Sequence, residues 1–177
     1  MNKLTYFILF FVCSIGFCFS QEKVEGKNVE KNINWRTKVG YSNLLIDALN
    51  TTDNMYSDYE AMVQDVWDNG TNTDLAGEAK AIQSRLNDLS AKIDQTPVYT
   101  AGKDFQLAIL NYIDAMKIKI TALEKYGILV ADENTDTETV NDASDAFNDA
   151  TDNATVKRNT VRNQYRLYAR TFTDKDK

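Results

Sequence analysis

The residues of this chain best equipped for chemistry are its carboxylates. Asp132, Asn134, Asp136 and Glu138 alternate like the opening of a helix-flanked calcium loop. Such a loop needs glycine at its sixth position and glutamate at its twelfth, where this chain has Thr137 and Ala143. The pattern therefore reads as a hydrated charged loop, with weak, nonspecific cation binding as the alternative. Histidine is absent from all 177 residues, which removes the commonest general base and the commonest metal ligand together. Both cysteines, Cys13 and Cys18, lie in an apolar block near the start. Ser-His-Asp and Cys-His catalysis are excluded on these grounds, as is a bundle di-metal centre, which requires Glu-x-x-His pairs. None of the seven glycines belongs to a phosphate-cradling loop. Composition alone leaves a pair of hydrolytic carboxylates open, but the acids fall on helix faces expected to meet water.

A second chemical candidate is the row Arg158, Arg162, Arg166 and Arg170, four residues apart. Four guanidinium groups in line can grip phosphate or polysaccharide. The same row also suits the negative end of a helix dipole and can pair with acids of a neighbouring helix, Asp47 or Asp104 for example. The structural reading is preferred. No metal, cofactor or nucleic-acid signature emerges, and the expected cofactor list is empty.

The elements that position these groups are read from apolar spacing. Lys3, an apolar run over Leu4–Phe19 and the small Ser20 form the pattern of a secretory signal peptide, with cleavage expected after Ser20. An uncleaved anchor fits less well, because the run has 16 residues where a spanning helix needs about 20. A lipidated Cys18 is also weighed, but the preceding Phe17 is not the small residue that processing wants. Residues 21–33 read as a flexible leader and 173–177 as a charged tail, leaving a single domain over 34–172. The mature chain then has 19 Lys and Arg (20 less Lys3) against 26 Asp and Glu. Such a surface repels nucleic acid, and no transmembrane helix is expected in the mature chain.

Helix 1 is expected over about 34–68, with a seam of Leu45, Leu49, Thr52, Tyr56, Tyr59, Val63 and Val66 and a bend near Asn50–Asn54. The turn Asp68–Thr73 leads to helix 2 over about 75–95, with seam Leu75, Ala79, Ile82, Leu86, Leu89 and Ile93, closed by Pro97. Helix 3 is expected from Gly102 or Asp104 to a stop at Gly127. Its stripe is Phe105, Ile109, Tyr112, Ile113, Met116, Ile120 and Leu123, while Leu107, Leu110 and Ile118 lie on the opposite side. A helix apolar on two sides belongs at the centre. Residues 128–136 form a connection, and helix 4 takes about 137–171. Its seam is Val140, Ala143, Phe147, Ala150, Ala154, Val161, Tyr165, Tyr168 and Phe172. The tryptophans Trp35 and Trp67 are read as core plugs. With no β alternation, the fold class is all-α: an antiparallel up-down-up-down four-helix bundle with long helices.

Charge follows the same frame. Val39–Ala79 and Tyr126–Val156 each hold eight acids and no base. In a bundle they gather at one end, offset in part by Lys117, Lys119 and Lys125 of helix 3.

With Tyr41-Ser42-Asn43 early in helix 1, Thr96-Pro97-Val98-Tyr99 before helix 3, and Phe105, Tyr112 and Tyr126 within it, the chain resembles an uncharacterised family of bacterial secreted or surface-exposed helical proteins. The likeness covers about Ile33–Ala169 and implies fold and location only. The expectation is a non-enzymatic extracytoplasmic protein, periplasmic or at the cell surface, serving as an interaction or structural module of the envelope. Its partner would be another envelope protein or a second copy, met by Leu107, Leu110 and Ile118 if nothing covers them. The alternative is a small-ligand or cation binder using the acidic end.

Overall fold

The computed structural model describes residues 36–99 and 101–172. The signal peptide, leader and tail expected at the ends, together with Trp35, Cys13 and Cys18, lie outside the described residues. Four α-helices follow one another: α1 (Lys38–Asn69), α2 (Leu75–Asp94), α3 (Lys103–Ala131) and α4 (Thr137–Ala169). Among the described residues there is no strand.

Local chemistry sets most of the ends. Thr37 precedes α1 and its hydroxyl accepts from the Gly40 amide at 2.9 Å. Asp74 and Asp136 do the same for α2 and α4, accepting from Gly77 and Thr139. Each side chain satisfies one of the amides a helix start leaves without an intrahelical partner. α1 stops where Gly70 turns left-handed at φ +63° and returns its amide to Val66. α2 ends before Pro97, as the sequence predicts.

One local expectation is corrected. α3 does not stop at Gly127 but continues to Ala131. Gly127 is buried, and a Cβ there would lie 3.0 Å from the Val63 side chain, so the missing side chain admits α1 against α3. Its carbonyl also accepts from the Trp67 indole at 3.1 Å. The polar stretch Asn50–Asn54, where a bend is expected, lies within the continuous helix α1. Thr51 and Thr52 return their hydroxyls to the carbonyls of Asp47 and Ala48, which keeps these groups satisfied inside the helix.

α3 is the central element. It packs against each of the other three helices, and α1 also meets α2. Its whole apolar stripe is buried, joined by Ala108 and Ala115, whose small side chains bring the neighbours close. The seams of α1 and α2 are buried at Leu45, Thr52, Tyr59 and Val63, and at Leu75, Ala79, Ile82, Leu86 and Ile93. Burial of one such leucine or isoleucine contributes roughly 1.5–3 kcal/mol, so the four helices hold together through these stripes.

Aromatic clusters occupy two places along α3. Near its start, Phe105 lies 5.9 Å from Tyr168, which also contacts Tyr41 at 5.9 Å and Phe172 at 5.3 Å. Near its end, Tyr126 contacts Trp67 at 5.4 Å and stacks on Phe147 at 6.1 Å. Trp67 is thus a partly buried member of the core, in line with its reading as a plug.

Candidate functional site

Between the two aromatic clusters, α1, α3 and α4 bring together polar groups that the sequence had assigned to water. Asp53 of α1 accepts a hydrogen bond from the Tyr112 hydroxyl of α3 on one oxygen. Its other oxygen lies 2.5 Å from the Arg158 guanidinium of α4. About one turn along α1, the Tyr56 hydroxyl donates to Glu60 at 2.7 Å. Lys119 of α3 places its ammonium 3.9 Å from the centre of the Tyr56 ring and 5.7 Å from that of Phe147. The negative face of an aromatic ring attracts a cation held this way.

The electrostatics follow from partial burial. Desolvation pulls the Lys119 ammonium below its usual pKa, and the charges of Glu60 and Asp53 oppose that fall. Tyr56 is held strongly protonated by burial first, then by the charge and hydrogen bond of Glu60. Tyr112 is likewise held protonated by burial, then by Asp53, with Arg158 acting the other way. Two carboxylates and two cations therefore share one region. Each Asp53 oxygen has its donor, and one Glu60 oxygen accepts from Tyr56. Such a group can hold three helices in a single register, because sliding one helix by a turn leaves half-buried charges without partners.

A second polar group sits beside the aromatic cluster at the start of α3. Gln106 is buried, accepts from the Tyr41 hydroxyl at 2.5 Å, and donates to the carbonyls of Ile93 at 2.6 Å and Thr96 at 3.2 Å. It joins the Thr96 amide as a donor to the Ile93 carbonyl in the last turn of α2, and serves the Thr96 carbonyl just beyond that helix.

The calcium-like stretch resolves into local structure. One Asp132 oxygen accepts from both the backbone and side-chain nitrogens of Asn134, and these bonds hold its carboxyl below the usual range. Asp136 caps α4, accepting from the Thr139 amide and hydroxyl, with the same effect on its carboxyl. Around Tyr59, Glu124 is raised by burial and then by the charge of Asp74. Among the described residues no group of three or more His, Cys, Asp or Glu is arranged to hold a metal ion. A shallow surface depression of about 380 Å³ lies elsewhere, lined by Asp88, Ala91, Lys92, Gln95, Thr96 and Pro97.

The arginine row is divided. Arg158 pairs with Asp53 rather than with Asp47 or Asp104, both of which are exposed on their helices. Arg162, Arg166 and Arg170 are exposed. Lys117 pairs with Asp114 at 2.7 Å and donates to Asn87 of α2, so of the three lysines expected to offset the acids it is Lys119 that lies beside Glu60.

Of the three residues expected on an outer face of α3, Leu107 is 51% and Ile118 56% exposed. Leu110 is partly buried against the core. Leu107 and Ile118 stand about 16 Å apart along the axis on one side of the helix. Exposed Asn111 and Asp114 lie between them, so that face alternates apolar and polar groups. No helix among the described residues is long and apolar enough to cross a membrane.

The Asp53–Tyr112–Arg158 group left one trace in the sequence. The acidic stretch around α1 has no base of its own, so any inward-facing acid in it must find a cation on another helix. Compared with models of protein families, with curated proteins and with solved structures, the chain matches none of them.

Proposed function

We propose that this is a non-enzymatic, extracytoplasmic helical bundle that serves as an interaction or structural module of the cell envelope. The observation that carries the reading is the pair Leu107 and Ile118, which stay half exposed on the helix that is otherwise most enclosed. Large apolar side chains left outside on a central helix suit contact with a partner. The engagement of Asp53 and Glu60 by tyrosine and arginine supports a structural role for the inward carboxylates. The basic, apolar and small-residue pattern of residues 1–20 supports export.

The bundle is of the up-down-up-down kind. Tyr41 with Gln106, Asp53 with Tyr112 and Trp67 with Gly127 climb α1 and α3 in the same order. Gln106 with Ile93, Lys117 with Asn87 and Thr121 with Gln83 run in opposite order on α3 and α2. Phe105 with Tyr168 and Tyr126 with Phe147 do so on α3 and α4. Spin labels at Asp47 and Arg162 are expected to read a short distance, and labels at Asp47 and Asp142 a far longer one; the reverse order would exclude this topology.

Two measurements test the function. Mass spectrometry of the protein recovered from the envelope fraction is expected to find a mature chain beginning at Gln21. Leu107→Asp and Ile118→Asp are expected to keep the helical spectrum and lose proteins cross-linked to the wild type. Unfolding of either variant would show that these side chains belong to the core.

A further inference from the structure

The last turns of α4 carry an unbalanced positive charge. From Val156 to Phe172 the chain has Lys157, Arg158, Arg162, Arg166 and Arg170 and no acid. Arg158 is joined to Asp53, but among the described residues Arg162, Arg166 and Arg170 enter no ion pair, with Asp47 of α1 and Asp104 of α3 included. The buried line Ala154, Val161 and Tyr168 fixes how α4 is turned. At about 100° per residue, Arg170 stands directly opposite Val161, Arg166 about 40° from that outward direction and Arg162 about 80°. All three are exposed. Leu167, 53% exposed, lies about 60° from the same direction on the other side. The outward side of the first half carries instead the exposed Asp145, Asp149 and Asp152.

We propose that the outward side of α4 over Arg162–Arg170 docks on an anionic lipid surface, with its guanidinium groups against lipid phosphates and Leu167 at the edge of the acyl layer. Charge complementarity selects the partner. A guanidinium fork suits phosphate, which can accept two parallel hydrogen bonds from it. Arg162 and Arg170 are eight residues apart, about 12 Å along the axis. A single phosphate ion therefore meets at most a neighbouring pair, whereas a sheet of lipid headgroups meets all three. Leu167 favours a bilayer over a polysaccharide, because the bilayer offers an apolar layer beneath its charges.

The acids of the chain limit the pose rather than forbid it. On the same side of α4, Asp152 stands ten residues before Arg162 and 18 before Arg170, about 15 and 27 Å along the axis. Screening at physiological salt acts over about 8 Å, so arginines in contact with the lipid feel it strongly and acids held away feel it little. A bilayer laid along the whole of α4 would meet Asp145, Asp149 and Asp152. The contact is therefore confined to the C-terminal half, with the bundle tilted so that these acids stand away from the lipid. Each arginine near an anionic surface contributes about fivefold to partitioning, so three give about a hundredfold. The attachment is weak, reversible and sensitive to salt. It goes beyond the functional reading above, because it lies on α4, takes lipid rather than a protein, and does not use Leu107 or Ile118.

Co-sedimentation of the protein recovered from the envelope fraction with lipid vesicles tests the inference. Vesicles of equal parts phosphatidylglycerol and phosphatidylcholine are expected to bind it at low salt and release it at high salt, and vesicles of phosphatidylcholine alone to bind it far less. Binding through the apolar run Leu4–Phe19 would not distinguish the two. Arg162→Gln/Arg166→Gln/Arg170→Gln is expected to keep the helical spectrum and bind the anionic vesicles about a hundredfold less tightly. Arg162→Lys/Arg166→Lys/Arg170→Lys is expected to bind nearly as the wild type does, because the attraction depends on charge. Lys80→Gln/Arg85→Gln/Lys125→Gln removes the same charge from exposed positions elsewhere. It is expected to change binding by no more than about twofold. Equal losses from the two glutamine variants, or equal binding to both kinds of vesicle, would overturn the inference. So would capture by an anionic polysaccharide such as heparin of a protein that ignores the vesicles. None of these outcomes bears on Leu107 and Ile118, whose partner is read by cross-linking.

Discussion

Arg158 of α4 and Asp53 of α1 meet at 2.5 Å although 105 residues separate them in the chain. The two halves of this contact differ in surroundings. Arg158 is half exposed, whereas Asp53 is mostly covered and also receives the Tyr112 hydroxyl. Arg158→Ala is therefore expected to cost about 0.5 kcal/mol, the small worth of a solvent-screened pair. Asp53→Ala also strips Tyr112 of its acceptor and is expected to cost about 2 kcal/mol. Urea denaturation of both variants and of the double variant checks this. Equal losses from the two single changes would show that the pair, and not the tyrosine, carries the stability.

Gln106 links three elements through one side chain. Gln106→Leu keeps volume but leaves the Tyr41 hydroxyl and the Ile93 carbonyl without this partner inside the bundle. A loss of about 3 kcal/mol is expected. Gln106→Glu removes the donating amide and adds a buried charge, so its deficit is expected to shrink in acid, where the carboxyl is neutral. Denaturation of both variants at neutral and mildly acidic pH reads the difference.

Alkaline pH is expected to unfold the bundle cooperatively. Burial raises Tyr41 from 10.0 to about 12, and raises Tyr56, Tyr59 and Tyr112 still further. A folded chain keeps these protons after an unfolded one has released them. Their contribution is therefore complete below pH 10 and is lost as pH rises through the folded values. Each group contributes a slope of roughly 1.4 kcal/mol per pH unit inside that window. Lys119, lowered by burial, gives the opposite slope below its unfolded value of 10.5, but it is one group against four. Tyrosinate absorbance and helical ellipticity, followed together, are expected to show these four rings ionising with the loss of helix. Ionisation of these four tyrosines with the helices intact would contradict the burial described.

Ala101 precedes α3 in the left-handed region, with φ +58°. A side chain in that conformation costs roughly 1 kcal/mol or more, and glycine avoids the clash. Ala101→Gly is expected to raise stability by about 0.5–1 kcal/mol, measured as a higher urea midpoint with an unchanged slope.

Much of the helical frame was legible from spacing. The α3 stripe Phe105–Leu123 is buried throughout, and the seam of α1 is enclosed even at Thr52, where a polar residue replaces the expected hydrophobe. The turn at Gly70 and the end of α2 before Pro97 also follow from local preference. Gly127 was misread because a glycine near a helix end suggests a stop, and only Val63 and Trp67 of another helix reveal that it marks a close approach. Asp53 and Lys119 lie beside the seams, where periodicity alone cannot say whether a flank meets water.

The sequence by itself determined that this protein is helical, where its four helices run, and which stripe of each is apolar. These depend on hydrogen bonds and side-chain spacings within a turn or two of chain. The tertiary structure decided which flanking polar groups turn inward: Asp53 to Tyr112 and Arg158, Lys119 to Tyr56, Gln106 to Tyr41. Those outcomes depend on how neighbouring helices are rotated and offset against α3. Rotation and offset are set by the summed packing of residues far apart in the chain, to which no single stretch holds the key.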